Sequence, residues 1–372
     1  MKKILEIWLW HYSGDSRIFF KQAVSLSNEF NVKCLWWFFS LKKWSWFENW
    51  INNIENIWLT WNRLLILFKA IIYWLKNKSD IYVAHDIDSY IVVVFIKLFR
   101  WNSKIVFDSH EYYEKLDIKK LNFVWRIVYI FYLYILKPIS IKLFSWVTVV
   151  TEDMKDYYNI SNKEIIYNFP YWKLFDDIKS NNKLSKKYFY FIYHWWINVD
   201  RWLFEMLEIF NEYKKINKEI KFLLIWPFKW LNLEKQFVEK VTKIWLIDDI
   251  IITWKLSYNE TISYIKNDVK KIWFCLFDNV WQMSKTIPIK MLEYLYLGIP
   301  QIWSNHINSF NNFINKNNAW ISVEYWNIEN ELEWIKNIFN NYEEYKNNCN
   351  KIKSSFTWEN EEEKLLKFYK NL

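Results

Sequence analysis

Two successive series of short apolar runs alternating with amphipathic, helix-period runs constrain the fold of this chain more than any other feature. The first series occupies residues 2–168 and the second begins at residue 188. Between them, residues 173–187 are polar, rich in Lys, Asn and Ser, and without apolar periodicity, as expected of a linker. Alternation of strand and helix predicts parallel sheets covered by helices, and two series predict two doubly wound α/β sheets. At 372 residues the chain is long enough for two cores. The expected division is a first Rossmann-like domain at 1–170, a linker at 171–187, a second Rossmann-like domain at 188–355 and a last helix at 356–372. Ligands of such sheets bind beyond the carboxyl ends of the strands, so the cleft between the two is the expected active site.

In the first series the expected strands are 2–9, 31–37, 81–84, 104–107, 147–150 and 164–168, with helices at 15–29, 62–76, 90–99 and 152–158 and a helix pair at 121–145. In the second, strands are expected at 188–194, 221–225, 249–253, 271–277, 299–303 and 321–323. Helices are expected at 201–213, 233–244, 258–265, 288–298 and 310–315, with acidic helices following to about 353.

The glycine count is abnormal for such a fold. The chain has 2 Gly and 28 Trp, together 30 residues, which as a share is an ordinary glycine content of about 7–8%. The tryptophans also stand where a chain needs glycine: Trp195-Trp196 between a strand and a helix, Trp226-Pro227 after a strand, Trp320 after Asn318-Ala319. Only glycine takes positive φ cheaply. Most of these tryptophans are therefore expected to be glycines, encoded by UGA codons in an organism that reads UGA as glycine. A few are expected to be genuine.

The net charge is +9 and favours anionic partners such as nucleotides, lipid phosphates or phospholipid surfaces. No basic cluster resembles a nucleic-acid reading motif, so no nucleic-acid partner is expected. Cys34, Cys275 and Cys349 form neither a disulfide framework nor a zinc pattern, which suits a reducing cytoplasm. The five histidines lack metal-ligand spacing, and no metal is expected. The first residues are too short and, at Glu6, too acidic for a signal peptide.

Five stretches carry chemistry. Pro288 to Pro300 reads as a helix with Met291, Leu292, Leu295 and Tyr296 on a buried face and Lys290, Glu293 and Tyr294 on or near the other. Pro288 suits its entry and Gly298 its exit. Such a helix, presenting an amine and a carboxylate, suits a hydroxylated anionic ligand or is an amphipathic helix with solvated charges. His194-Trp195-Trp196, followed by Arg201-Trp202, would become a glycine turn whose N–H groups approach a diphosphate, with Arg201 gripping it. Lys285 and Thr286 lead into the 288–300 helix and are expected at the sugar phosphates. Asp108-Ser-His110-Glu111 follows a strand at the mouth of the first sheet, where an imidazole can serve a sugar or phosphate. Trp8 and Trp10 frame a turn of glycine-loop type before Asp15-Ser-Arg17, in which Arg17 is a first-turn surface charge or a ligand contact. His85-Asp86-Ile-Asp88-Ser89 reads as a turn, with Asp88 and Ser89 capping the next helix. Residues 121–145 are the most apolar part of the chain, too short to span a bilayer; they read as a basic, aromatic pair on a membrane surface or as a core pair.

These motifs, in this order, resemble those of family 4 glycosyltransferases, nucleotide-sugar-dependent enzymes of GT-B fold. The pattern Pro-x-Lys-x-x-Glu-Tyr-x-x-x-Gly-x-Pro is complete at Pro288 to Pro300. The resemblance implies two Rossmann-like domains facing across a cleft, with the C-terminal helix crossing back to the first. It implies a retaining, hexosyltransferase-type reaction with a UDP- or GDP-linked sugar as substrate and no separate cofactor. It also implies that Glu293 holds the donor ribose, that Arg201 with Trp195, Trp196, Trp202, Lys285 and Lys290 forms the donor site, and that His110 faces the sugar. Trp8, Trp10, Arg17 and Glu111 fall on the acceptor side. The resemblance further implies that Trp358, in Phe-Thr-Trp-Glu-Asn, is one of the genuine tryptophans. Lys285 departs from the pattern, since many relatives have Glu there. The expected acceptor is a glycan or polyprenyl-linked lipid in cell-surface polysaccharide synthesis, with the protein cytoplasmic and in peripheral contact with an anionic membrane. A nucleotide-sugar 2-epimerase of the same fold, which needs no acceptor, and a non-catalytic nucleotide-sugar-binding scaffold, which turns over nothing, are the alternatives.

Overall fold

The structure, a computed structural model, describes residues 1–9, 15–36, 54–56, 63–110, 112, 123–171, 173–181, 183–194, 197–225, 228, 230–253, 256–276, 285–306, 319–323 and 327–372. Its contacts divide it into two compact units, Met1–Asn168 with Trp358–Leu372, and Phe169–Thr357.

The first unit is built on a seven-stranded sheet. Its strands are β1 (Lys3–Trp8), β2 (Asn31–Trp36), β3 (Ile54–Asn56), β4 (Ile81–Ala84), β5 (Lys104–Ser109), β6 (Trp146–Val149) and β7 (Lys163–Ile165). They lie in the order β3-β2-β1-β4-β5-β6-β7, all parallel. Ile4 of β1 pairs with Val32 on one side and Ile81 on the other, so β1 is central and its apolar run is buried on both faces. The second unit has six strands: β8 (Phe189–His194), β9 (Ile220–Ile225), β10 (Ile250–Thr253), β11 (Lys271–Cys275), β12 (Gln301–Ser304) and β13 (Trp320–Val323). Their order is β10-β9-β8-β11-β12-β13, again parallel. Chain direction across the sheet reverses between β1 and β4 and between β8 and β11. Those two points are where the helices diverge and a ligand can reach the strand ends.

The C-terminal helix, Trp358–Asn371, belongs to the first unit. Trp358 is buried there and its indole N–H donates to Ser25 Oγ at 3.0 Å. Glu361 accepts from the backbone N–H of Tyr167 at 3.0 Å, and Tyr369 packs beside Phe30.

Several local expectations change. The three-residue β3 is too short to leave a periodic signal. The cap of the Ile87–Phe99 helix is Asp86, not Asp88 or Ser89: Asp86 Oδ1 accepts from Ser89 N–H at 2.8 Å, and the Ser89 hydroxyl accepts from Asp86 N–H. The predicted helix pair at 121–145 is one helical run, Phe123–Phe131, a π segment Tyr132–Leu136 and Lys137–Leu143. The π segment precedes Pro138, whose missing N–H interrupts the α-helical ladder without ending the run. Asp15 does open the next helical run, accepting from Arg17 and Ile18 N–H at 2.8 and 2.9 Å. The helix expected at 310–315 lies outside the described residues.

Two helix ends are built alike. After Ile289–Tyr296, Gly298 has φ 68°, its N–H donates to Leu295 O, and Ile299 N–H donates to Tyr294 O. After Leu231–Lys243, Trp245 has φ 60°, its N–H donates to Thr242 O, and Leu246 N–H donates to Val241 O. Both are Schellman caps, in which the left-handed residue is normally glycine. Trp245 is 90% exposed, so its ring contributes little packing. Trp245→Gly is therefore expected to raise stability by about 1 kcal/mol in chemical denaturation. A loss of stability would show that the indole has a packing role.

Candidate functional site

In the first unit, the carboxyl ends of β1, β4, β5 and β6 converge on Asp108. Arg17 grips it bidentately, Nε to Oδ2 at 3.0 Å and Nη2 to Oδ1 at 2.7 Å, and also donates to Ile166 O at 3.0 Å. Thr148 Oγ1 donates to Oδ1 at 2.8 Å. His85 Nδ1 lies 3.3 Å from Oδ2 and its Nε2 lies 2.6 Å from Glu6 Oε2. His110 Nδ1 lies 3.4 Å from Asp108 Oδ2. Arg17 is 2% exposed, so it is not the first-turn surface charge that one reading of the sequence suggested; it is the counter-ion of a buried carboxylate.

Burial works against the Asp108 carboxylate, but Arg17 and the two imidazoles hold its pKa well below the usual range. Burial also opposes a charged His85, yet Glu6 and Asp108 outweigh it and raise its pKa to about 9. Burial pushes the Glu6 carboxyl up while His85 pulls it back. A raised histidine pKa gives stability that is complete below about 6.5 and is lost as pH rises toward about 9. The denaturation midpoint should accordingly fall across that window in the wild type and fall less in His85→Gln. Equal slopes would contradict the assignment.

His85, Asp108 and His110 bring one ligand atom each within 4.8 Å, a convergence that residues on separate loops do not announce by spacing. A cation there would sit beside the Arg17 guanidinium, 2.7 Å from the same carboxylate, and be repelled by it. Asp86 has a separate task, accepting from Leu9 N–H at 2.5 Å and so fixing the start of the turn after β1. Trp8, the last residue of β1, is buried with its ring edge-on to His85. Trp10 and Glu111 lie outside the described residues.

In the second unit the corresponding edge gathers around the Ile289–Tyr296 helix. Glu293 Oε2 pairs with Lys290 Nζ at 2.9 Å, one helical turn back, and Oε1 accepts from the Tyr258 hydroxyl at 3.2 Å. Tyr258 starts the helix after β10, capped by Ser257 and Glu260. Lys290 Nζ also lies over the Tyr258 ring, 5.1 Å from its centre. Burial and the Glu293 carboxylate push the Tyr258 phenol up, which keeps it a hydrogen-bond donor. Glu293 and Tyr294 were expected on or near the face opposite the apolar one, and both are buried. Tyr294 stacks on Trp273 of β11, 4.4 Å between ring centres at 7°, so the helix is covered on more than its Met291–Leu295 side.

His194 ends β8 and is fully buried; burial, and then the Lys290 amine, hold its pKa well below the ordinary value, so it is a neutral imidazole. The sequence reading gave His194 no role, although its place as the last strand residue before the turn was the signal available. Arg201 closes the Val199–Arg201 turn and is half-buried, and its charge reaches the Cys275 thiol at the end of β11. Trp202 follows with φ 54° and is buried. Lys285 and Thr286 are half-buried ahead of the helix. Trp195 and Trp196 lie outside the described residues. The structure thus gathers Lys290, Glu293, Tyr258 and His194 closely in the second unit, and Arg17, His85, Asp108 and His110 in the first.

The chain matches no protein-family model and no curated protein sequence. Solved structures match it over its whole length. HepE of Anabaena in complex with UDP-glucose superposes with a TM-score of 0.73 at 10% identity, covering 100% of both chains. A glycosyltransferase from Rickettsia africae gives 0.72 at 15% identity, over 100% of this chain and 98% of that one. Sucrose-phosphate synthase from Thermosynechococcus elongatus gives 0.72 at 12% identity, over 100% and 99%. The fold is therefore GT-B, with two Rossmann-like units, as the motif resemblance implied.

Proposed function

We propose that the chain is a retaining, metal-independent glycosyltransferase of family 4 type that moves a hexosyl group from a UDP- or GDP-linked sugar to a glycan or polyprenyl-linked acceptor in cell-surface polysaccharide synthesis. The observation that carries this reading is the Lys290–Glu293–Tyr258 cluster at the carboxyl edge of the second sheet. A buried carboxylate held by one amine and one phenol is oriented to accept from vicinal hydroxyls, and a ribose diol is such a pair. Arg201, Lys285 and Lys290 supply positive charge for a diphosphate whose negative charge grows as the glycosidic bond breaks. His194, kept neutral, adds no charge at the mouth of the turn. His110, anchored by Asp108, serves the sugar side. Arg17 and Glu6 sit behind it. One structural neighbour, HepE, is a complex with UDP-glucose, which supports a nucleotide sugar as the ligand class.

The expected reading of most tryptophans as glycines belongs to the same proposal. Among the described residues, the non-glycine positions with positive φ are Trp202 and Trp245. Among the described residues, the buried indole N–H groups of Trp74 and Trp273 meet no hydrogen-bond acceptor, whereas that of Trp358 meets Ser25. Each orphaned donor costs about 1–3 kcal/mol. Peptide mass spectrometry of the protein from its own organism decides it: glycine masses at Trp202 and Trp245 uphold the recoding, and tryptophan masses end it.

Activity is tested by thermal shift and turnover with a panel of nucleotide sugars. Arg201→Ala is expected to lower kcat by about 100-fold while leaving the melting temperature unchanged. A folded protein that is stabilised by no nucleotide sugar would end the proposal. Turnover without an acceptor would point to the epimerase.

A further inference from the structure

The helices that flank β4 and β5 in the first unit expose an unusual amount of apolar surface. The Arg63–Lys76 helix packs beside Ile87–Phe99, which in turn packs against Lys137–Leu143. Their inner sides supply Ala70, Trp74, Val93, Ile96 and Tyr132 to the core of the unit. The outer sides carry large apolar residues that stand exposed among the described residues. Phe68 is 60% exposed, Leu98 69%, Phe123 75%, Ile127 53% and Tyr134 76%. Phe123, Ile127, Phe131 and Tyr134 recur at helical spacing, so they form one stripe along the run from 123 to 143. A soluble surface rarely leaves such a stripe without a partner.

The charge of the same three segments is as lopsided as their exposure. Residues 63–76, 87–99 and 123–143 hold seven Lys or Arg and one carboxylate, Asp88, which is buried. The whole chain holds 50 basic and 41 acidic residues, so the imbalance is local. Lys76, Arg126 and Lys142 are exposed around the apolar residues. Exposed apolar side chains that share their segments with exposed cations and with no exposed anion of those segments fit the headgroup and upper acyl region of an anionic bilayer. A second copy of the same face would bring cations against cations. No helix among the described residues is long and apolar enough to cross a membrane.

We infer that this three-helix face docks on the surface of an anionic lipid bilayer, Phe123, Ile127 and Tyr134 entering the interface and Arg126 and Lys142 meeting lipid phosphates. The inference stands apart from the transferase reading, since it uses none of the residues assigned to donor or sugar. It places the first unit flat on the lipid, held by shallow insertion and charge together.

Flotation of the full chain with vesicles tests it. Binding is expected to vesicles of phosphatidylcholine with about 30% phosphatidylglycerol, and at least tenfold weaker binding, roughly, to phosphatidylcholine alone. Raising the salt to about 0.5 M should release much of the charge-dependent part. Phe123→Ser with Ile127→Ser and Tyr134→Ser, and separately Arg126→Glu with Lys142→Glu, should each lower the bound fraction about tenfold with the melting temperature retained. Because every altered side chain is exposed or at the surface, the variants should fold; circular dichroism confirms that. Absence of binding to either vesicle overturns the inference. So does a dimer in light scattering that the triple serine variant converts to monomer, which would assign the face to a second copy.

Discussion

Glu293→Ala should abolish stabilisation by nucleotide sugars and lower kcat/KM by about 100-fold or more. A carboxylate that accepts from a ribose diol makes two charge-assisted hydrogen bonds, each worth about 1.5–3 kcal/mol, and a loss of about 3 kcal/mol is a little over 100-fold. The variant should remain folded. Its removal frees Lys290, which is 17% exposed and retains access to water and to the Tyr258 ring. Tyr258 is also left with room to turn its hydroxyl. Thermal shift with and without donor reads binding directly, and steady-state kinetics reads the rest. A variant that binds donor as tightly as wild type would remove Glu293 from the site and with it the main support for the assignment. Glu293→Gln should fall between the two, because one acceptor oxygen survives.

The largest effect on stability is expected at Asp108. Asp108→Ala strips the partner from Arg17, which is 2% exposed, and from a fully buried His85, and breaking a buried pair on one side costs about 3–5 kcal/mol. Asp108→Asn keeps the shape and removes the charge; it should lose most of the same amount, since Arg17 would lose the carboxylate it grips bidentately. Urea denaturation of the first unit's signal measures it. A loss below about 1 kcal/mol would mean that the network is no stronger than a surface pair. The pH dependence has a definite sign. Asp108 is held well below the usual carboxylate range, so its contribution is present above about pH 4 and is lost as acid protonates it in the folded state. The Asn variant should therefore lose the acid-side dependence along with the stability.

The architecture was legible because its signal is repeated. β1, β4, β8, β9 and β11 are apolar runs buried on both faces, and runs of that kind stand out against amphipathic helices. The Tyr258–Ile265 helix and its Ser257–Glu260 capping box follow from local residues, and the left-handed Gly298 follows from its place after the Ile289–Tyr296 helix. What stayed hidden depends on distance along the chain. Arg17 and Asp108 are 91 residues apart, and nothing in the neighbourhood of either announces the pairing. Read locally, Arg17 is a charge in a first helical turn. His85 met Glu6 across 79 residues in the same way. The helix at 289–296 misled for another reason. Its period separates an apolar side from a polar one, but a helix covered on both sides buries its polar side too, and Glu293 is buried there with Tyr258 donating to Oε1 and Lys290 as its counter-ion. The cap at Asp86 rather than at Asp88 or Ser89 turned on the helix starting three residues earlier, at Ile87 rather than Tyr90, which composition does not resolve.

The position of the last helix bears on how the protein comes off the ribosome. Residues 169–357 are an insertion, in sequence, within the unit formed by Met1–Asn168 and Trp358–Leu372. The inserted unit is contiguous and can close as soon as it has been synthesised, as domains usually do in order of emergence. The other unit must instead wait, with Ser25, Phe30 and Tyr167 lacking Trp358, Tyr369 and Glu361, until residues 358–369 have been synthesised. During that interval the apolar surface that Trp358 and Tyr369 cover stays open to water.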